Sequence, residues 1–245
     1  LTAGLRQVDP EVAIAAIRAT RRRELFRISA ADSLGLLSVD DVGPALSAIA
    51  DATIQAALAV ATATVLVDGI QAEDLVEFVV VGMGRYGGEE LGYGSDADVM
   101  FVYRTREGVD EAAASDAATS VANELRRLLA LPSADPPIDM DADLRPEGRN
   151  GPIVRSLASY AAYYERWSAA WEAQALLRAR PVAGSPALQD AFIELIDPIR
   201  YPADGVSSAD LLEMRRLKAR MEAERLPRGA DPALHLKLGR GGLSD

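Results

Sequence analysis

A glycine-rich loop held between two apolar runs constrains this chain more than any other feature. Phe78-Val79-Val80-Val81 is a short β-branched run that stops at glycine, and Asp98-Val99-Met100-Phe101-Val102-Tyr103 is a second apolar run. Such runs, bounded by glycine, predict buried strands. Between them lies Gly82-Met83-Gly84-Arg85-Tyr86-Gly87-Gly88-Glu89-Glu90-Leu91-Gly92-Tyr93-Gly94-Ser95-Asp96-Ala97-Asp98. A loop this rich in glycine frees backbone N–H groups to hold phosphate. Asp96 and Asp98 stand two residues apart at the mouth of a strand, so they point to one face and can share divalent metal. A phosphate cradle beside a metal pair is the arrangement that nucleotidyl transfer needs.

The rest of the composition narrows the class. The chain has 245 residues and is 49% hydrophobic, enough for a sizeable core in one large domain or two small ones. It has no cysteine, which excludes disulfides and thiolate metal sites and fits a reducing compartment; the expected location is the cytoplasm. Its net charge of −11 argues against a nucleic-acid surface. Every apolar run approaching about 18 residues carries a charged or polar break, so no membrane span is expected. Leu1 is not a natural start, and Asp245 follows a glycine-rich motif, so both ends read as cuts in a longer protein.

Helices are predicted on both sides of the loop. Asp9-Pro10 is a helix start, with a cap residue before proline at the first helical position. A second, alanine-rich helix begins near Ser38 or Asp40 and carries Leu46, Ile49, Ile54, Leu58 and Val65. Glu111 to Leu131 predicts an amphipathic helix with Val121, Leu125, Leu128 and Leu129 inward. Ile138 to Leu144 alternates strictly, which predicts a strand with Asp139, Asp141 and Asp143 on one face. Ile153-Val154 suggests a further short strand. Ser156 caps a helix to about Trp167, with Trp167 and Trp171 read as core, and a further helix is expected to reach Arg180. After Gly184 the chain reads as helical, interrupted at Pro198 and Pro202, with a long charged helix over Asp210–Arg225. The expected organisation is a helical lead-in over 1–70, a catalytic core over 71–156 and a helical segment over 157–245.

Two Mg²⁺ ions bring four positive charges into a small space and need several carboxylate oxygens at about 2.0–2.1 Å. Asp96 and Asp98 supply two ligands. A third belongs on a neighbouring strand, and the acidic face of Ile138–Leu144 offers Asp139, Asp141 or Asp143, which spacing alone does not separate. That third carboxylate would also stand near the attacking hydroxyl and take its proton. Gly82-x-Gly84-x-x-Gly87 superficially matches a dinucleotide fingerprint. The chain re-enters a strand through Gly94-Ser95-Asp96 instead of continuing as a long helix, which opposes that reading.

These motifs identify a resemblance. Gly82 through Gly88, Glu90 through Asp98, Asp141 through Gly148, Trp171 through Arg180, and Gly241-Gly242-Leu243-Ser244-Asp245 together resemble the glutamine synthetase adenylyltransferases. These are bifunctional enzymes of the DNA polymerase β-like nucleotidyltransferase superfamily. The resemblance covers nearly the whole chain. It implies an α+β fold, a polymerase β-like mixed sheet framed by N- and C-terminal helices. The half of those enzymes that removes AMP typically reads Glu-Leu-Asn before an aromatic residue and Ser-Ser-Asp. Glu90-Leu91-Gly92-Tyr93-Gly94-Ser95-Asp96 resembles the transferring, C-terminal half instead.

The resemblance implies transfer of AMP from ATP to a tyrosine hydroxyl of glutamine synthetase. Phosphorolytic removal of that AMP is the first alternative, and a non-catalytic nucleotide-binding regulatory module the second. The family's Asp-x-x-Leu-Arg-Pro pattern falls on Asp141, Leu144, Arg145 and Pro146, so it selects Asp141 as the third metal ligand and catalytic carboxylate beside Asp96 and Asp98. It leaves Asp143 where many relatives carry arginine. Gly84, Gly87, Gly88, Gly94, Ser95 and Arg145 are the candidate nucleotide ligands, with Arg145 open between the triphosphate, Asp141 and a structural salt bridge. The implied cofactor is Mg²⁺ or Mn²⁺. Glutamine synthetase is the implied partner, with a PII-type signal protein and glutamine as effectors, and neither nucleic acid nor membrane takes part. Arg178 and Arg180 are expected at a helix end, where cations suit the dipole. Lys237 and Arg240, beside Gly241-Gly242, are charges that could reach a nucleotide, and Asp245 matches an acidic family position.

Overall fold

The computed structural model of the chain describes residues 9–167, 170–224, 229, 231 and 233–236. Helix α1 spans Pro10–Ser33 and starts as its sequence predicts. The Asp9 carboxylate accepts from the Glu11 N–H at 2.8 Å, and Pro10 sits at the first helical position. Helix α2 spans Val39–Thr64. At its start the Asp41 carboxylate accepts from the Ser38 hydroxyl at 2.6 Å and the Ser38 N–H at 3.4 Å. A hairpin follows, β1 (Leu66–Val67) and β2 (Ile70–Gln71), turned by Asp68 and Gly69 at φ 50° and 80°. Two positive φ values are what a two-residue hairpin turn requires.

Then come α3 (Ala72–Leu75), β3 (Val76–Gly82), α4 (Gly84–Gly87), β4 (Ala97–Thr105) and α5 (Glu111–Ala130). The C-terminal part supplies β5 (Met140–Asp141), β6 (Val154–Ser156), α6 (Leu157–Trp167), α7 (Ala170–Leu176), β7 (Arg180–Gly184), α8 (Pro186–Arg200) and α9 (Ser208–Glu224). The main sheet runs β5-β4-β3-β7, with β6 also paired to β4. β3 is antiparallel to β4 and β7, while β5 and β6 lie parallel to β4 along one edge.

Helices cover both faces of this sheet, which is why β3 and β4 read as continuous apolar runs and not as alternating ones. Phe78, Val80, Val99, Phe101 and Tyr103 face one core with α1, α2 and α5. Val79, Val81, Met100 and Val102 face a second core with Tyr160, Leu188 and Phe192. Phe101 and Phe192 are fully buried, and truncating either to alanine costs about 3–5 kcal/mol. Helix α2 has the length and composition of a membrane span, at a mean hydropathy of 1.4, but half of that window is buried. Its Ile54, Ala57, Leu58 and Ala61 serve the first core.

Four expectations need correction. The helix expected to reach Arg180 stops at Leu176, and Arg180–Gly184 is an edge strand on β3. Pro181 suits an edge, and Gly184, at φ 110°, lies so close to the Phe78 carbonyl that a Cβ would collide with it. The strand expected over Ile138–Leu144 is paired only at Met140–Asp141. Ile138, Met140 and Ala142 are buried, and Leu144 turns outward. Pro198 does not interrupt α8 but sits in its last turn. Trp171, expected in the core, is 37% exposed.

Candidate metal centre

Asp96 immediately precedes β4, and Asp98 is its second residue. β5 lies beside them in parallel, with Met140 opposite Ala97 and Asp141 opposite Asp98. Neighbours in register share a face of the sheet. One carboxylate oxygen from each of Asp96, Asp98 and Asp141 therefore lies within 4.8 Å of the others. Asp96 is exposed, and the other two are half-buried. Three like charges this close repel unless a cation joins them. An all-oxygen, all-carboxylate donor set suits Mg²⁺ or Mn²⁺.

The glycine turn closes on this group from β3. Gly84 has φ 51°, and a Cβ there would collide with Asp98 Oδ2, so the turn reaches Asp98 because residue 84 lacks a side chain. The Met83 N–H donates to the Asp98 carbonyl at 2.8 Å. Gly87 and Gly88 differ from expectation. Their N–H groups donate to the carbonyls of Met83 at 2.7 Å and Gly84 at 3.1 Å, so they close the turn and are not free for phosphate. Gly94 faces open space, and the Ser95 hydroxyl accepts from the Gly92 N–H at 3.1 Å.

Beside the carboxylates opens a cleft of about 420 Å³, lined by Asp96, Asp139, Asp141, Asp143, Arg126, Arg145 and Arg149 among others. Asp139 contributes its carbonyl to the sheet, accepting from the Ala97 N–H at 2.8 Å. Asp143 leaves the strand. Its N–H caps the Asp141 carboxylate at 2.7 Å, and its own carboxylate pairs with Arg149 at 2.5 Å and Arg145 at 3.7 Å. The hydrogen bond that Arg149 donates to the Asp143 carboxylate is the main cause that raises the Arg149 pKa above its ordinary value.

Arg145, expected on phosphate, is buried and engaged elsewhere. It donates to the Ala142 carbonyl at 2.7 Å and twice to the Gly151 carbonyl at 3.1 Å, which ties the ends of one loop together. Arg126 on α5 was not singled out by the sequence. It lines the cleft, is exposed, and has no hydrogen bond or ion pair among the described residues. An exposed arginine on a helix reads like any solvated face, so no sequence signal marks it. Arg178 and Arg180 lie beyond α7, paired with Glu90 and Asp51. Lys237, Arg240 and Gly241–Asp245 lie outside the described residues.

The α+β fold, a mixed sheet framed by helices, is consistent with that of a polymerase β-like nucleotidyltransferase. The family described as glutamate-ammonia ligase adenylyltransferase matches residues 2–195, and the chain belongs to that family. It is 58% identical over 240 residues to a bifunctional glutamine synthetase adenylyltransferase/adenylyl-removing enzyme of Mycobacterium tuberculosis, covering 98% of this chain and 24% of the relative. The enzyme of the same description from Streptomyces avermitilis is 56% identical over 248 residues, covering 96% and 24%. That of Mycobacterium leprae is 55% identical over 245 residues, covering 100% and 24%. The chain thus spans about a quarter of the length of the curated relatives it matches.

Proposed function

We propose that this chain carries the transferring chemistry of its family: it moves AMP from ATP to a tyrosine hydroxyl of glutamine synthetase, which lowers nitrogen assimilation. The convergence of Asp96, Asp98 and Asp141 carries the reading. These three residues would hold Mg²⁺, with Mn²⁺ as an alternative of similar chemistry, and the cation supplies charge neutralisation for the triphosphate. Gly84, Gly94 and Ser95 border the triphosphate, and Arg126, unpaired among the described residues, meets its negative charge across the cleft. The tyrosine oxygen attacks the α-phosphorus in line. The new O–P bond forms as the bond to the β-phosphate oxygen breaks, pyrophosphate leaves, and we assign the tyrosine proton to Asp141. Catalysis on this reading is mainly orientation and charge stabilisation.

In the same proposal 71–156 does the chemistry, and 1–70 and 157–245 hold it. The protein acts in the cytoplasm, with glutamine and a PII-type signal protein as effectors of the longer protein. The relatives' names carry both activities, so phosphorolytic removal of AMP is the second reading. Gly92 and Gly94, where the removing half typically carries asparagine and serine, favour transfer. The test is incubation with α-labelled ATP, Mg²⁺ and unmodified glutamine synthetase. Label on the synthetase that disappears in Asp96→Asn supports transfer. ADP formed from AMP-tyrosine and phosphate, with no label transferred, supports removal instead.

A further inference from the structure

Three elements far apart in sequence meet beneath the glycine turn. Arg180 opens β7 and sits opposite Gly82, the residue that ends β3. Its guanidinium grips Asp51 of α2 in a fork, at 2.6 Å to Oδ2 and 3.1 Å to Oδ1. The Tyr86 hydroxyl donates to the same Asp51 Oδ1 at 2.7 Å. Arg180 also reaches the carbonyls of Gly87 at 3.3 Å and Tyr86 at 3.4 Å. These are the last carbonyls of a one-turn helix; that of Tyr86 also accepts from the Glu89 N–H at 3.2 Å, so Arg180 adds a side-chain contact where the turn closes. Tyr86 is fully buried, and burial followed by the Asp51 charge raises its pKa, so the hydroxyl stays protonated and keeps donating.

From these contacts we propose that Arg180, with Asp51 and Tyr86, is the positioning device of the metal centre. The inference rests on the functional reading above. The turn has two ends. Arg180 and Asp51 fix the end at Tyr86–Gly87, and Gly84 at the other end lies against the Asp98 carboxylate. A four-residue turn held at one end is a short lever, about 1.5 Å of rise per residue, so any slack at Gly87 is passed to Asp98. A bidentate arginine–carboxylate pair supplies direction as well as strength, which a lysine in its place does not. Arg180 is thus a positioning residue, acting on Asp98 through the turn and touching neither substrate nor metal.

The experiment uses the full chain, with Mn²⁺ as the probe followed by electron paramagnetic resonance, alongside amide exchange at Gly87 and Gly88. Arg180→Lys keeps the charge beside Asp51 but loses the fork. Tyr86→Phe keeps the ring but loses the hydroxyl. Arg180→Lys is expected to weaken Mn²⁺ binding about tenfold, the low end of the effect of removing a supporting partner around a metal site. Tyr86→Phe is expected to weaken it about threefold, and both variants speed exchange at Gly87 and Gly88. If Arg180→Lys fails to fold, Tyr86→Phe decides with the same two measurements. Variants that bind Mn²⁺ as tightly as wild type overturn the proposal, whether or not exchange quickens. A wild-type chain that binds no Mn²⁺ overturns the metal reading itself, an outcome distinct from wild-type binding that the variants leave unchanged.

Discussion

Asp141 and Asp143 lie two residues apart in one alternating stretch, yet the fold treats them oppositely. Asp141 stands in register with Asp98 and joins Asp96 within 4.8 Å. Asp143, one step of the same alternation further, is turned into a loop and matched by Arg149 and Arg145. The divergence comes from strand pairing. β5 pairs with β4 for two residues, the chain then leaves the sheet, and β6 returns to the same edge at Val154. Arg145 holds that excursion closed from Ala142 to Gly151. Negative charge is concentrated where two strands run side by side and neutralised where they part. A candidate metal centre and a salt-bridged loop therefore arise from one sequence pattern.

The largest test of this contrast is on the concentrated side. Asp96→Asn or Asp98→Asn is expected to lower AMP transfer by about a thousandfold, roughly 4 kcal/mol of barrier. The circular dichroism spectrum of Asp96→Asn should stay that of the wild type, since Asp96 is exposed. Retained turnover would remove the metal assignment. Asp141→Asn follows, at about a hundredfold, measured in the same labelled-ATP assay. An Asp141 variant that transfers at the wild-type rate would put the centre on the β4 pair alone.

Arg145 tests the boundary between the two regions. Its guanidinium is buried on two carbonyls, so Arg145→Met is expected to cost about 2–4 kcal/mol in a urea melt. The KM for ATP of the folded fraction should hold. A raised KM with unchanged stability would return Arg145 to the phosphate role that its motif suggests.

The contrast also explains what was legible beforehand. β3, β4 and α5 were readable because their apolar residues are decisive in both length and period, and α1 and α2 because Asp9 and Ser38 cap them locally. Asp96 and Asp98 followed from the two-residue repeat of a strand. Asp141 did not, because Asp139, Asp141 and Asp143 are equivalent until β4 selects a register, and the family pattern had to choose. β7 was hidden because Arg180-Pro181-Val182-Ala183-Gly184 has no period of its own and becomes a strand only by lying on β3. The Asp68-Gly69 turn carried a local hairpin signal that went unread. Asp51 and Arg180 are separated by 129 positions, a pairing no local pattern encodes.

Asp143 gives the smallest effect and the sharpest comparison with its neighbour. Its carboxylate is 35% exposed and Arg149 is 84% exposed, so solvent screens the pair strongly. Exposed ion pairs of this kind contribute little to stability. Asp143→Asn should shift a urea melt correspondingly little, and it should change AMP transfer by less than about threefold, since the Asp143 N–H that caps Asp141 belongs to the backbone and survives the substitution. Set beside Asp141→Asn, the ratio of the two activity losses measures how completely the break in pairing after Asp141 separates chemistry from structure. A loss at Asp143 as large as that at Asp141 would mean that the acidic face acts as one unit, and that the arginines of the loop release Asp143 when nucleotide enters the cleft.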